Sequence, residues 1–132
     1  MALKQQSEKG FTIVEIIVAA TLMTLAVATL VSMMVAAQYA QRNAYYTSEA
    51  SRAAFSKIEE TKVKPFNDIS MGTAYFSGDQ SLNNLPPGSV GQIVVSPASF
   101  APDSKQIDVT VTYTVGTVQK KVSMTAYVDP LP

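Results

Sequence analysis

The chain has 132 residues, with ten basic and ten acidic side chains that cancel, and it contains neither histidine nor cysteine. That balance gives no electrostatic pull toward nucleic acid or an acidic substrate, the lack of cysteine excludes disulfides, and the lack of histidine removes the commonest general base and metal ligand. Apolar residues are concentrated at one end, so fewer than a hundred residues remain for a small soluble domain.

Residues 1–10 form a short polar leader that carries Lys4, Glu8 and Lys9 and ends in Gly10. Residues 11–37 are apolar or small at almost every position, and Glu15 is their only charge. As a helix this run reaches about 40 Å, more than the roughly 30 Å of a bilayer's hydrocarbon core. A carboxylate at the centre of such a span costs roughly 2.5 to 3.5 kcal/mol, and somewhat less near an end, so Glu15 calls for a reason.

The order Lys9-Gly10-Phe11-Thr12-Ile13-Val14-Glu15, followed by the unbroken apolar run, resembles the type III signal of the type IV pilin family. That family includes pilus subunits, type II secretion pseudopilins and competence pseudopilins. The resemblance covers roughly the first 35 to 40 residues. It implies that a prepilin peptidase cuts between Gly10 and Phe11 on the cytoplasmic side, that the new Phe11 amine is N-methylated, and that Glu15 is needed for subunit assembly. The partners it implies are copies of the chain and other pilins in a helical filament, the inner-membrane assembly platform, and membrane lipid before assembly. It implies no cofactor, no metal and no catalytic residue. Many pilins carry a helix-breaking proline within the span, whereas this chain has none between Phe11 and Lys64. That departure moves the resemblance toward minor pilins and pseudopilins.

Physical chemistry offers three readings of Glu15. A buried carboxylate is tolerable beside an opposite charge, and after cleavage the nearest new cation is the Phe11 amine. On one helix Phe11 and Glu15 are i, i+4 neighbours, which allows an intramolecular pair, while the amine of a neighbouring subunit would instead set axial register between chains. The third reading is an interfacial acid favoured by the helix dipole. Two rival readings of the whole segment fit less well. A secretory signal peptide has an apolar region of only about 7 to 15 residues before a site such as Val35-Ala36-Ala37, and a plain signal anchor explains neither Gly10-Phe11 nor Glu15. The expected placement is a single-pass cytoplasmic membrane protein with its C-terminus outside, and afterwards an extracellular or periplasmic filament.

Residues 38–64 contain no glycine or proline, and Tyr39, Tyr46, Ala50, Ala54 and Ile58 recur at steps of seven and four. This predicts one helix from about Phe11 to about Lys64. Its small face of Ala50, Ala53 and Ala54 should admit a closely packed sheet, with Glu49, Arg52, Lys57, Glu59 and Lys62 on a solvated face. Lys62 and Lys64 before Pro65 suit a helix end, where cations complement the dipole.

Residues 65–132 read as a small sheet domain behind a loop-rich connector, with at most a short strand near residues 74–77 and another strand at 92–96. Pro97 is expected to stop the latter, with a turn region at Pro102-Asp103. The clearest β signal is the alternation of Ile107, Val109, Val111, Tyr113 and Val115 with Asp108, Thr110, Thr112 and Thr114. It continues beyond Gly116-Thr117 as Val118, Lys120, Val122, Met124, Ala126 and Val128, a hairpin with one apolar face. Val111 and Val122 should be buried and Thr112 should face outward. The expected fold class is therefore α+β: a long N-terminal helix, membrane-spanning over 11–37 and amphipathic over 38–64, carrying a small antiparallel sheet on its outer half, the lollipop of the pilin family.

Two function classes follow. One is a structural filament subunit of a type IV pilus, with the pseudopilin of a secretion or DNA-uptake system as its alternative. The other is a membrane-tethered binding protein such as an adhesin, for which the Thr110, Thr112 and Thr114 face or the helix tyrosines would supply contacts. An enzyme is not expected, because no phosphate loop is present and Asp103, Asp108 and Asp129 do not follow a calcium-loop spacing.

Overall fold

The structure, a computed structural model, describes residues 10–99 and 101–130, apart from the side chain of Pro102. The leader residues Lys4, Glu8 and Lys9 lie outside the described residues. The expected α+β order is present: one long helix, α1 (Ile13–Lys62), then an antiparallel sheet of β1 (Gly72–Phe76), β2 (Val90–Ala98), β3 (Ala101–Val115) and β4 (Val118–Val128) in that spatial order. The chain divides into two units, Met1–Ala40 and Gln41–Pro132.

Helix α1 ends where the sequence stops supporting it. The Lys64 amide has tightened onto Thr61 O, at 3.2 Å, and Pro65 disfavours helical geometry in the residue before it. The core of the second unit joins Ala50, Ala53, Ala54 and Ile58 of α1 to Ile107, Val109, Val111 and Tyr113 of β3. Small side chains on the helix let bulky β-branched ones on the sheet approach closely, and the Tyr113 hydroxyl lies 2.9 Å from that of Thr47. The inward stripe starts at Tyr46 rather than Tyr39, which is 63% exposed.

Several expectations for the sheet need correction. The short strand near 74–77 is present as β1, Gly72–Phe76, which makes the sheet four-stranded. Pro97 does not stop β2, which runs to Ala98. Proline is tolerated there because Val95 is the last β2 residue paired to β1, so Pro97 sits on a local edge, and the β2–β3 register shifts between Pro97 and Ala98. Pro102 and Asp103 belong to β3 and form no turn. The hairpin at Gly116-Thr117 is as read: Val115 pairs with Val118, and positive φ occurs at Gly116 (+64°) but not at Thr117, the pattern of a type II′ turn. Register is also as read for β3, with Val111 fully buried and Thr112 on the opposite face. Val122 is only half-buried, because β4 is the edge strand of the sheet.

Candidate assembly segment

The helix start is built by Thr12. Its hydroxyl accepts a hydrogen bond from the Glu15 amide at 3.3 Å, and its carbonyl accepts the first helical bond from the Ile16 amide at 3.2 Å. Thr12 is thus the N-cap and Glu15 the third helical residue, the spacing of a capping box. Phe11 stands outside the helix. The i, i+4 geometry expected for an intramolecular pair between the Phe11 amine and Glu15 is therefore absent from the helix itself. Among the described residues the Glu15 carboxylate has no hydrogen-bond or ion-pair partner.

Around that carboxylate the surface is apolar. Ile13, Val14, Ile16, Ile17, Leu22 and Leu25 are each more than half exposed, and the exposure continues through Leu30 and Met33. α1 is the one helix among the described residues that is long and apolar enough to cross a membrane. Its hydroxyls suit such a medium, since Thr21, Thr24, Thr29 and Ser32 each donate at 2.8 Å to a carbonyl three or four residues earlier in the helix. Each of these four hydroxyls thus finds its partner within the helix.

Gly10 lies outside the helix, and a Cβ built on it would meet nothing within 4 Å. Its φ is not in the left-handed region. Among the described residues nothing therefore demands glycine at this position.

In the second unit the polar groups that sequence reasoning assigned to solvent are partly engaged. Lys57 Nζ lies 2.6 Å from Asp79 and 2.7 Å from Glu60, and 5.4 Å from the centre of the Phe76 ring. Burial pulls the Lys57 ammonium toward neutrality, but the hydrogen bonds and charges of Asp79 and Glu60 outweigh it and raise its pKa. Asp79 is lowered to about 2 by the hydrogen bond from Lys57 and by those from the Ser81 amide and hydroxyl. Asn84 donates to Glu49 at 2.9 Å. Lys105 donates to the carbonyls of Phe66 and Ile69, at 2.6 and 2.7 Å, with its ammonium 4.1 Å from the centre of the Phe66 ring. These contacts hold the connector to the helix and the sheet. They depend on which loop residues meet the helix, which no periodicity encodes.

No group of three or more metal-ligating side chains exists among the described residues. Compared with protein-family models, with curated proteins and with solved structures, the chain matches none.

Proposed function

We propose that the chain is a structural subunit of a type IV pilus filament. Before assembly α1 holds it in the cytoplasmic membrane with the C-terminus outside; the filament then forms through the apolar part of that helix. The observation that carries this reading is Glu15, a carboxylate without a partner among the described residues, on a helix whose neighbouring side chains are apolar and uncovered. A tether has no use for such a group, whereas a polymer of parallel helices uses it to meet the Phe11 amine of an adjoining copy.

Gly10 adds support, since no described residue crowds that position and a glycine there suits the narrow site of a prepilin peptidase. The reading is tested by expressing the chain with a prepilin peptidase and an assembly platform, shearing the cell surface, and weighing the intact protein. The expected product begins at Phe11 and carries one methyl group on nitrogen. A product beginning at Gln38, or a chain found only in membranes, overturns the proposal.

A further inference from the structure

The bond proposed to be cut lies between Gly10 and Phe11, and the residue that follows them, Thr12, decides where α1 starts. Its hydroxyl oxygen accepts from the Glu15 amide at 3.3 Å, and its carbonyl accepts from the Ile16 amide at 3.2 Å. In a helix begun two residues earlier, the Glu15 amide would bond to Phe11 O and the Val14 amide to Gly10 O. Here the Thr12 hydroxyl takes the Glu15 amide instead. Among the described residues neither Gly10 O nor Phe11 O accepts a backbone hydrogen bond, and both residues are exposed, Phe11 to 80%.

Thr12 holds that boundary against an alternative close by. Glycine is itself an acceptable N-cap, so without the Thr12 hydroxyl the start can move up to Gly10, with Phe11 as the first helical residue. Fraying in the other direction costs more, because it frees further amides of the apolar run, for which an apolar surrounding has no partners. A helix started at Gly10 gives the Gly10 carbonyl to the Val14 amide. That carbonyl is the one the cut has to attack.

Hydrolysis adds the hydroxyl of a water molecule to the Gly10 carbonyl carbon and its proton to the Phe11 nitrogen as the bond between them breaks. The carbonyl oxygen gathers negative charge while the carbon is tetrahedral, and a peptidase has to bring its own donors to that oxygen. An oxygen turned along a helix axis toward the Val14 amide is not free to meet them. Resting on the processing step of the filament reading above, we infer that Thr12 is a positioning residue for the cut: its hydroxyl ends the helix just past the scissile bond and keeps the Gly10 carbonyl open to the peptidase. The Glu15 carboxylate has no part in this, since the cap uses only the backbone amide of that residue.

The test follows cleavage of the full chain in detergent micelles by a purified prepilin peptidase, timed by intact mass. Thr12→Val keeps the shape of the side chain and removes the hydroxyl, and it should lower kcat/KM by about two- to thirty-fold, the range that loss of an N-cap implies. Because the hydroxyl sets the fraction of chain that is open before the enzyme meets it, the loss should fall on KM with kcat retained. Thr12→Ser and Thr12→Asn should both cut like the parent, asparagine supplying a capping oxygen without a hydroxyl. Thr12→Val cut as fast as the parent overturns the positioning role and leaves the processing step standing. A loss that falls on kcat, or Thr12→Asn as slow as Thr12→Val, also overturns it, because the peptidase then reads the hydroxyl itself. A parent chain that is not cut before Phe11 removes the processing step and this inference with it.

Discussion

Lys57 Nζ stands 2.6 Å from Asp79 Oδ2, which ties the outer part of α1 to the connector after β1. The same carboxylate accepts from the Ser81 amide at 2.9 Å, so Asp79 both pairs a partly buried cation and caps a short 3-10 turn, Gln80–Leu82. Its folded pKa of about 2 lies below the ordinary 3.8. A group with a lowered folded pKa stabilises above its unfolded value and loses that contribution as pH falls through the folded one. Asp79→Asn should therefore lower the Tm of the detergent-solubilised chain at neutral pH, and the gap to the parent should close as pH falls from about 4 to about 2. A gap that stays constant across that window would show that the ion pair is not its cause.

The half-burial of Val122 changes what truncation should do. Val111 is fully buried on the central strand, so Val111→Ala should cost about 1 to 3 kcal/mol, a large share of the stability of a small domain. Val122→Ala, on the edge strand, should cost less than half as much. Thr112→Ala, on the opposite face, should be close to neutral. Urea unfolding of the three variants measures this, and a Thr112→Ala loss equal to that of Val111→Ala would mean a register shifted by one residue.

Gly91 pairs with Phe76 across β1 and β2, and a Cβ at Gly91 would fall 1.9 Å from the tip of the Phe76 ring. The ring covers the glycine, and Phe76 itself packs on the core. Gly91→Ala forces the ring off this seat, and we expect a loss of about 1 to 3 kcal/mol. In the Phe76→Ala background the same change should be nearly free, because the obstacle is gone. Equal losses in both backgrounds would place the cost in the backbone.

What the sequence made legible were features carried by a period. The 3.6-residue spacing of Ala50, Ala54 and Ile58 and the two-residue alternation from Ile107 to Tyr113 each report one buried face, and both faces are buried as read. Glu15 was legible as the one charge in an apolar run. Features that depend on meeting a distant segment were not legible. Lys57 reads as solvated until Asp79 arrives, and Pro97 reads as a stop until β1 is seen to end beside Val95. A glycine opposite an aromatic residue, Gly91 and Phe76, needs the register before it carries meaning.

Since no described residue crowds Gly10, Gly10→Val should leave helix content and the Tm of the second unit unchanged while stopping the cut before Phe11. Intact mass should show only the uncut precursor, retained in the membrane. A variant still cut before Phe11 would remove the external demand for glycine from the argument.

Glu15→Ala bears most directly on function. The Thr12 cap uses the backbone amide of residue 15, so replacing the side chain leaves the hydrogen bond that starts the helix in place. Removing a charge from the apolar run makes insertion easier, so cleavage and membrane residence should persist. What disappears is the only group on the run able to neutralise the Phe11 amine of an adjoining copy. Breaking a buried ion pair costs roughly 3 to 5 kcal/mol, and the loss recurs at each added subunit. Sheared surface filaments should therefore vanish or shorten sharply, while processed, methylated Glu15→Ala chain accumulates in the membrane. Co-expressed with the parent chain, the variant should be excluded from fibres. Its normal incorporation would instead support a tethered protein whose helix is only an anchor, because such a helix is indifferent to the carboxylate.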